Sequence, residues 1–329
     1  MKKIKIKDSD YLYAGARIRA LENGIVGAER LSLMAHAKDE TDLERMLEDA
    51  GVSGEEGYDI GIDARLSEAF DFVKSTSGSD VFDVLRYKYD AHNLKSAIKS
   101  YLRGSNAGHL FVSLGTVDPS GIEVMVKERD FSAFPKEMAE AAVEALDDYA
   151  KQGDPQKIDT LIDKACYHAI LRELSDYEFP FLSDMISVKI DLTNILTTVR
   201  LLRMKSNYVN SAFLSENLIE GGKISCDRLV SIFEKDEEEL FRFLSSGEYY
   251  SLAQYGAGCP LSMLERACDD EYMRFVCDNT KYVSYGACIL AAYLTAREYE
   301  AMNLRILLAS KRAALPAERI TERLRMSYV

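Results

Sequence analysis

The chain has 329 residues, 47% of them hydrophobic and 29% charged, with six prolines, no tryptophan and a formal net charge of −13. That balance belongs to a globular protein rather than a disordered one and allows two or three folded units of about 100–150 residues. The acid excess works against a broad electrostatic grip on nucleic acid or anionic lipid, and the preponderance of Ala, Leu, Glu, Lys, Arg and Met favours helix over sheet.

From the N-terminus, Tyr11, Ala14, Gly15, Ile18, Leu21 and Ile25 recur at spacings of three and four. They predict an amphipathic helix over 11–37, bent or broken at Gly24 and Gly27. Thr41 with Glu44 reads as a capping box for a short helix that Gly51 ends. Four glycines make 51–61 a loop. Helix then resumes from Ile62 to Val73 and, after a break at Ser75–Ser79, from Val81 to Leu102. His109–Val117 reads as a helix end and loop, and Asp118-Pro119-Ser120-Gly121 as a turn. Met138, Ala142, Val143, Leu146 and Tyr149 mark the next helix. Asp154-Pro155 supplies an N-cap and a first-turn proline for another. Helices follow at 182–205, 225–234, 236–245, 262–278 (with Ser262 and Glu265 as its capping box) and 281–313, then a short one after Pro316. The uncharged run Tyr282–Ala296 has 15 residues. A bilayer span needs about 20, so the run is expected to be a buried helix. No set of period-two strands stands out, so the expected fold class is all-α.

Cys166, Cys226, Cys259, Cys268, Cys277 and Cys288 form no C-x-x-C pair. Structural zinc is therefore not expected, and reduced thiols in the cytosol are. No apolar signal segment precedes the first helix. Lys2, Lys3, Lys5 and Lys7 near one end, and Lys311, Arg312, Arg319, Arg323 and Arg325 near the other, read either as solvated ends or as docking patches for an acidic partner.

One pattern occurs three times: an acid, two residues, an asparagine and a branched aliphatic. The copies are Asp90-Ala91-His92-Asn93-Leu94, Asp191-Leu192-Thr193-Asn194-Ile195 and Glu300-Ala301-Met302-Asn303-Leu304, their asparagines 101 and 109 residues apart. Ile98, Val199 and Leu308 follow each Asn by five. On a helix all these positions fall on one stripe. An acid and an Asn inside an apolar stripe must find hydrogen-bond partners, so each pair is expected to pin its helix to its neighbours. Downstream of each copy, Pro119-Ser120-Gly121-Ile122, Gly221-Gly222-Lys223-Ile224 and Pro316-Ala317-Glu318-Arg319-Ile320 read as a matching turn and short amphipathic helix. A repeat of about 100 residues is too long for a solenoid and suggests three similar helical bundles in a pseudo-threefold body, here 1–125, 126–232 and 233–329.

Motifs for chemistry are missing. There is no G-x-x-x-x-G-K-[ST] loop and no H-E-x-x-H, and His36, His92, His109 and His168 are scattered. Asp269-Asp270 and Asp147-Asp148 lack the third acid of D-D-x-x-D, the spacing that would hold Mg²⁺ and a diphosphate. Neither a catalytic site nor a cofactor is expected.

The segment Tyr11-Leu12-Tyr13-Ala14-Gly15-Ala16-Arg17-Ile18-Arg19-Ala20-Leu21-Glu22, the following Glu29-Arg30-Leu31 and Asp39–Leu47, and Tyr89-Asp90-Ala91-His92-Asn93-Leu94-Lys95 together resemble the C subunit of bacterial and archaeal V/A-type ATPases, whose eukaryotic counterpart is called the d subunit. The resemblance covers essentially the whole chain; Gly51-Val52-Ser53 departs from the family's usual Thr-Gly-Tyr-like ending of that segment. It implies three helical domains in a funnel about a pseudo-threefold axis. It also implies a non-catalytic rotor part on the cytoplasmic face of the membrane, joining the central shaft to the membrane ring and carrying torque between ATP turnover and H⁺ or Na⁺ flow. On that reading Arg17, Arg19, Arg200, Arg203 and Lys205, near helix ends or seams, are candidate contacts with shaft or ring, against the plainer reading of surface charges or local salt bridges. An unrelated cytosolic helical scaffold and a helical enzyme are the competing readings.

Overall fold

The computed structural model describes residues 3–204, 209–256 and 258–329. Helices dominate. In chain order they are α1 (Leu12–Glu22), α2 (Ala28–Ala35), α3 (Glu40–Asp49), α4 (Tyr58–Ser77), α5 (Tyr87–Arg103), α6 (Ile122–Glu128), α7 (Lys136–Gln152), α8 (Pro155–Ser175), α9 (Pro180–Arg203), α10 (Ser211–Asn217), α11 (Cys226–Phe233), α12 (Glu237–Ser245), α13 (Leu261–Thr280), α14 (Ala287–Arg312) and α15 (Ala317–Thr321). Short 3₁₀ turns stand at Asp8–Tyr11, Asp80–Leu85, Gly108–Leu110, Pro119–Gly121 and Tyr250–Tyr255.

The all-α expectation needs one addition. Two residues at each of two places pair as parallel strands, β1 (Ile4–Lys5) with β2 (Tyr177–Glu178), in the register Ile4 to Tyr177. The Ile4 N–H donates to the Asp176 carbonyl at 2.8 Å. A pair this short leaves no periodic trace in sequence.

Several helix boundaries differ from the sequence reading for identifiable reasons. The expected 11–37 helix is two, α1 and α2. Between them the Val26 N–H turns away to Glu300, and Gly27 lies so close to the far end of the chain that a Cβ would come within 2.9 Å of the Val329 carbonyl oxygen. The cap of α3 is Asp39, whose carboxylate accepts from the Asp42 N–H, rather than a Thr41–Glu44 box. At α13 the helix begins at Leu261 behind Pro260, so Ser262 lies inside the first turn and no side chain caps it, while Glu265 pairs with Arg200. The last long helix starts at Ala287 rather than 281. Gly286 has φ of +137°, and Asp8 Oδ1 accepts the Ala287 N–H at 3.1 Å from across the fold. Asp154 caps α8 with Pro155 in its first turn, as read from sequence.

A single continuous apolar core runs through the molecule. Most of α14 is buried on every side, from Ala287 and Ile289 to Leu307 and Leu308. A helix buried all round is a core helix, and α1, α2, α3, α4, α9, α13 and α15 pack against this one. Aromatic rings connect distant segments edge to face and by stacking, from Tyr11 to Phe82, Phe179, Phe181 and finally Phe275, with centroid separations of 6.0–6.4 Å. Among the described residues no helix is long and apolar enough to cross a membrane.

Candidate functional site

The three acid–asparagine pairs lie on α5, α9 and α14, each fully or almost fully buried. Each asparagine uses its amide as a strand residue uses its peptide. Asn93 Nδ2 donates to the Val112 carbonyl at 2.8 Å while the Val112 N–H donates to Oδ1 at 2.9 Å. Asn194 does the same with Ile219 at 2.7 and 2.9 Å, and Asn303 with Arg325 at 3.0 and 2.8 Å. In each case a loop, 19 to 25 residues further along, is fastened across its own helix.

The acids act on the same loops in two of the three copies. Asp90 accepts the N–H groups of Thr116 and Val117 and the Thr116 hydroxyl. Asp191 accepts the N–H groups of Lys223 and Ile224 and the Tyr249 hydroxyl, the last at 2.7 Å. Gly115 and Gly222 stand at equivalent places, three residues after Val112 and Ile219. A Cβ on either would lie 2.1 Å from the neighbouring Asp Oδ1. Burial holds both carboxyls above their ordinary value, against the pull of these hydrogen bonds. In the third copy the longer Glu300 reaches elsewhere, to the Val26 N–H at 2.7 Å and to Arg297 and Arg65. There the job of fastening the 325–329 segment falls to Asp270, which accepts the Met326 N–H, and Asp269, which pairs with Arg325 and Lys189.

These anchors correct the downstream alignment read from sequence. Val112–Val117, Ile219–Ile224 and Arg325–Val329 are the matching segments, and α15 (Ala317–Thr321) matches the short helical pieces before the other two, α10 and Gly108–Leu110.

All three helices line one cavity of about 750 Å³. Five residues before each Asn stand Lys88, Lys189 and Glu298, and all three face it. Lys88 Nζ is 2.5 Å from Glu298 Oε2, and the Tyr89 hydroxyl donates to Glu298 Oε1 at 3.3 Å. Lys189 pairs with Asp269, and Arg305 with Asp63. The lysine side chains are 49% and 36% exposed, whereas the lining also includes the buried Val84, Cys166, Ile170 and Ile219. The rim is therefore charged and the floor apolar. Sequence reasoning missed these residues; their signal was a charge at the same offset in every copy of an otherwise apolar stripe.

Of the candidate contact residues, Arg19 and Arg203 are engaged within the chain. Arg19 bonds Glu22, Tyr328 and the carbonyls of Thr280 and Val283; Arg203 forks Glu237 and donates to the Cys259 carbonyl. Arg200 is exposed and pairs with Glu265 at 3.0 Å. Arg17 is exposed and lies 4.8 Å over the Phe72 ring. Lys205, and Lys2 of the basic N-terminal run, lie outside the described residues. Much of the C-terminal basic run is likewise engaged: Lys311 with the Ala37 carbonyl, Arg312 with Glu40 and Asp59, and Arg325 with Asp269. Among the described residues no three His, Cys, Asp or Glu side chains cluster as a metal site.

The sequence profile of the ATP synthase (C/AC39) subunit matches residues 14–323. The chain belongs to that family. Among C/AC39 relatives, the C subunit of the V-type sodium ATPase of Enterococcus hirae is 26% identical over 283 residues, covering 83% of this chain and 84% of that protein. The C subunit of the A-type ATP synthase of Thermococcus kodakarensis is 23% identical over 322 residues, covering 92% and 87%. That of Methanosphaera stadtmanae is 22% identical over 349, covering 95% and 87%. The match thus spans most of the chain and takes in all three acid–asparagine pairs.

Proposed function

We propose that this C/AC39 chain is the non-catalytic central-stalk subunit of a V/A-type rotary ATPase, seated on the cytoplasmic face of the membrane, where it joins the shaft to the ion-carrying ring and transmits torque. Its body is a funnel of three helical units, 1–125, 126–232 and 233–329, about a pseudo-threefold axis, and the cavity is the socket for the shaft. The observation that carries this reading is the cavity to which all three like helices contribute, together with α8, with Lys88, Lys189 and Glu298 at one repeat position. A part that carries torque needs a stiff frame and a concave seat rather than a reaction pocket. The buried acid–asparagine pairs with their fastened loops and the aromatic chain support the first requirement, and the charged rim over an apolar floor supports the second. Arg17 and Arg200, exposed at helix surfaces, remain candidate contacts with the ring or shaft.

The test is recovery of the tagged chain from gently solubilised native membranes, with partners identified by mass. Shaft and ring subunits are expected in stoichiometric yield. Recovery of the chain alone, with the rotary complex intact without it, overturns the assignment in favour of an unrelated helical scaffold.

A further inference from the structure

Where α1, α4 and α14 meet, the molecule holds an ionic group whose charges do not balance. The side chains of Arg65, Arg297 and Glu300 are 15%, 9% and 2% exposed. Glu300 Oε2 accepts from Arg297 Nη1 at 2.7 Å, and Oε1 from Arg65 Nη2 at 3.2 Å. Two guanidiniums therefore share one carboxylate and leave a net positive charge away from water, a costly arrangement unless further acceptors approach. The carbonyls of Gly24 and Ala50 take Nη groups of Arg65, and the Tyr293 hydroxyl takes Arg297 Nε. Two donors are left over. Arg65 Nε is buried without an acceptor, and Arg297 Nη2 has none among the described residues.

Both arginines line a groove of about 530 Å³. Leu21, Ala69 and Phe72 give it an apolar wall. Gly51, at φ of +82°, leaves beside the guanidinium the space that a Cβ would fill, 3.2 Å from Arg65 Nη1. Arg17, over the Phe72 ring, adds a further positive charge at the edge, and Glu68 is the one acid on the lining. Burial, and less strongly the Arg297 charge, pull Arg65 below its ordinary value against the opposing pull of Glu300. In a chain of net charge −13, this is a local excess of the opposite sign.

We propose that this groove binds a small organic anion, its single phosphate or carboxylate group forked by Arg65 and Arg297 and its apolar body laid on Phe72 and Leu21. Guanidinium donors match either oxyanion in a two-toothed fashion. The bound anion gives Arg297 Nη2 the acceptor it lacks and ties α1 to α14, elements some 270 residues apart in sequence. The site lies apart from the central cavity and does not depend on the coupling role.

The experiment is calorimetric titration of the full chain at low salt with phenyl phosphate, benzoate and inorganic phosphate. Saturable binding of phenyl phosphate or benzoate is expected, and whichever is tighter assigns the head group. Arg297→Gln should abolish it, but that change also strips Glu300 and can unfold the chain. Two variants that leave the ionic group intact decide the matter. Ala20→Trp, at the exposed edge, should block the groove, and Glu68→Gln should tighten binding about threefold to tenfold by removing a like charge. Absence of saturable binding up to about 10 mM of any probe overturns the proposal. So does an affinity that neither Ala20→Trp nor Glu68→Gln alters.

Discussion

Asn93, Asn194 and Asn303 each present one donor and one acceptor in the spacing of a peptide group, so a passing loop can pair with a helix side chain as it would with a strand. A buried Asn is otherwise expensive, and here both ends of every amide are satisfied. The adjoining glycines follow from the same geometry. Gly222→Ala should place a methyl against Asp191 Oδ1 and cost about 1–3 kcal/mol in urea unfolding; a loss below about 0.5 kcal/mol would mean that the loop shifts freely. Asp191 also carries a pH signature. Its folded carboxyl sits above the ordinary 3.8, chiefly through burial, so folding takes up a proton between the two values. Its contribution to stability is complete below the unfolded value and is lost as pH rises through the folded one. Asp191→Asn should therefore flatten the stability profile in mildly acidic solution. At neutral pH it should cost about 1–3 kcal/mol, because an amide N–H then faces N–H and O–H donors. Parallel slopes for the two proteins as pH rises above the ordinary carboxyl value would remove burial of this carboxyl as the cause.

At the scale of elements, the junctions are made by groups that sequence keeps far apart. Asp8 stands at the start of α14, Glu300 takes the N–H between α1 and α2, and the Val329 carbonyl accepts the Ala28 N–H. That is why the helices themselves were legible from spacing and turn residues, while their ends were displaced. The local capping signal Ser262–Glu265 lost its place because the helix starts earlier, behind Pro260. The aromatic chain has a directly testable weight. Phe179 is 6% exposed and lies between Phe82 and Phe181. Phe179→Ala should cost about 3–5 kcal/mol. It should also speed amide exchange on both sides of the β1–β2 pair, since the ring connects α9 through Phe82 to Tyr11 and the N-terminal segment. Faster exchange confined to α9 would show that the chain of rings does not link these segments.

For the molecule as a whole, the cavity lined by α5, α9 and α14 is the feature on which the coupling reading stands. Lys88 and Glu298 bridge two of the three helices there. Reversing either charge should cost about 1 kcal/mol, a small sum because the lysine is half exposed. The exchange variant Lys88→Glu with Glu298→Lys should recover that stability. If the lining receives the shaft, the exchanged protein still binds isolated shaft subunits more weakly than the parent, because their charges now meet the opposite pattern. Full recovery of binding would put the shaft contact elsewhere on the surface.

Composition and periodicity by themselves determined a helical body, its chief helices and the threefold acid–asparagine pattern, because 3.6-residue spacing and a polar pair in an apolar stripe are written locally along the chain. What those pairs hold, and which loops correspond, was decided only in three dimensions, since Val112, Ile219 and Arg325 carry no mark of the amide that faces them 19 to 25 residues earlier. The same holds for the charges at the cavity rim and for the arginine pair at the α1–α14 junction. Whether a charged side chain is a solvated surface group, a lock or a lining depends on where the remainder of the chain removes water from it, and that is a property of tertiary packing alone.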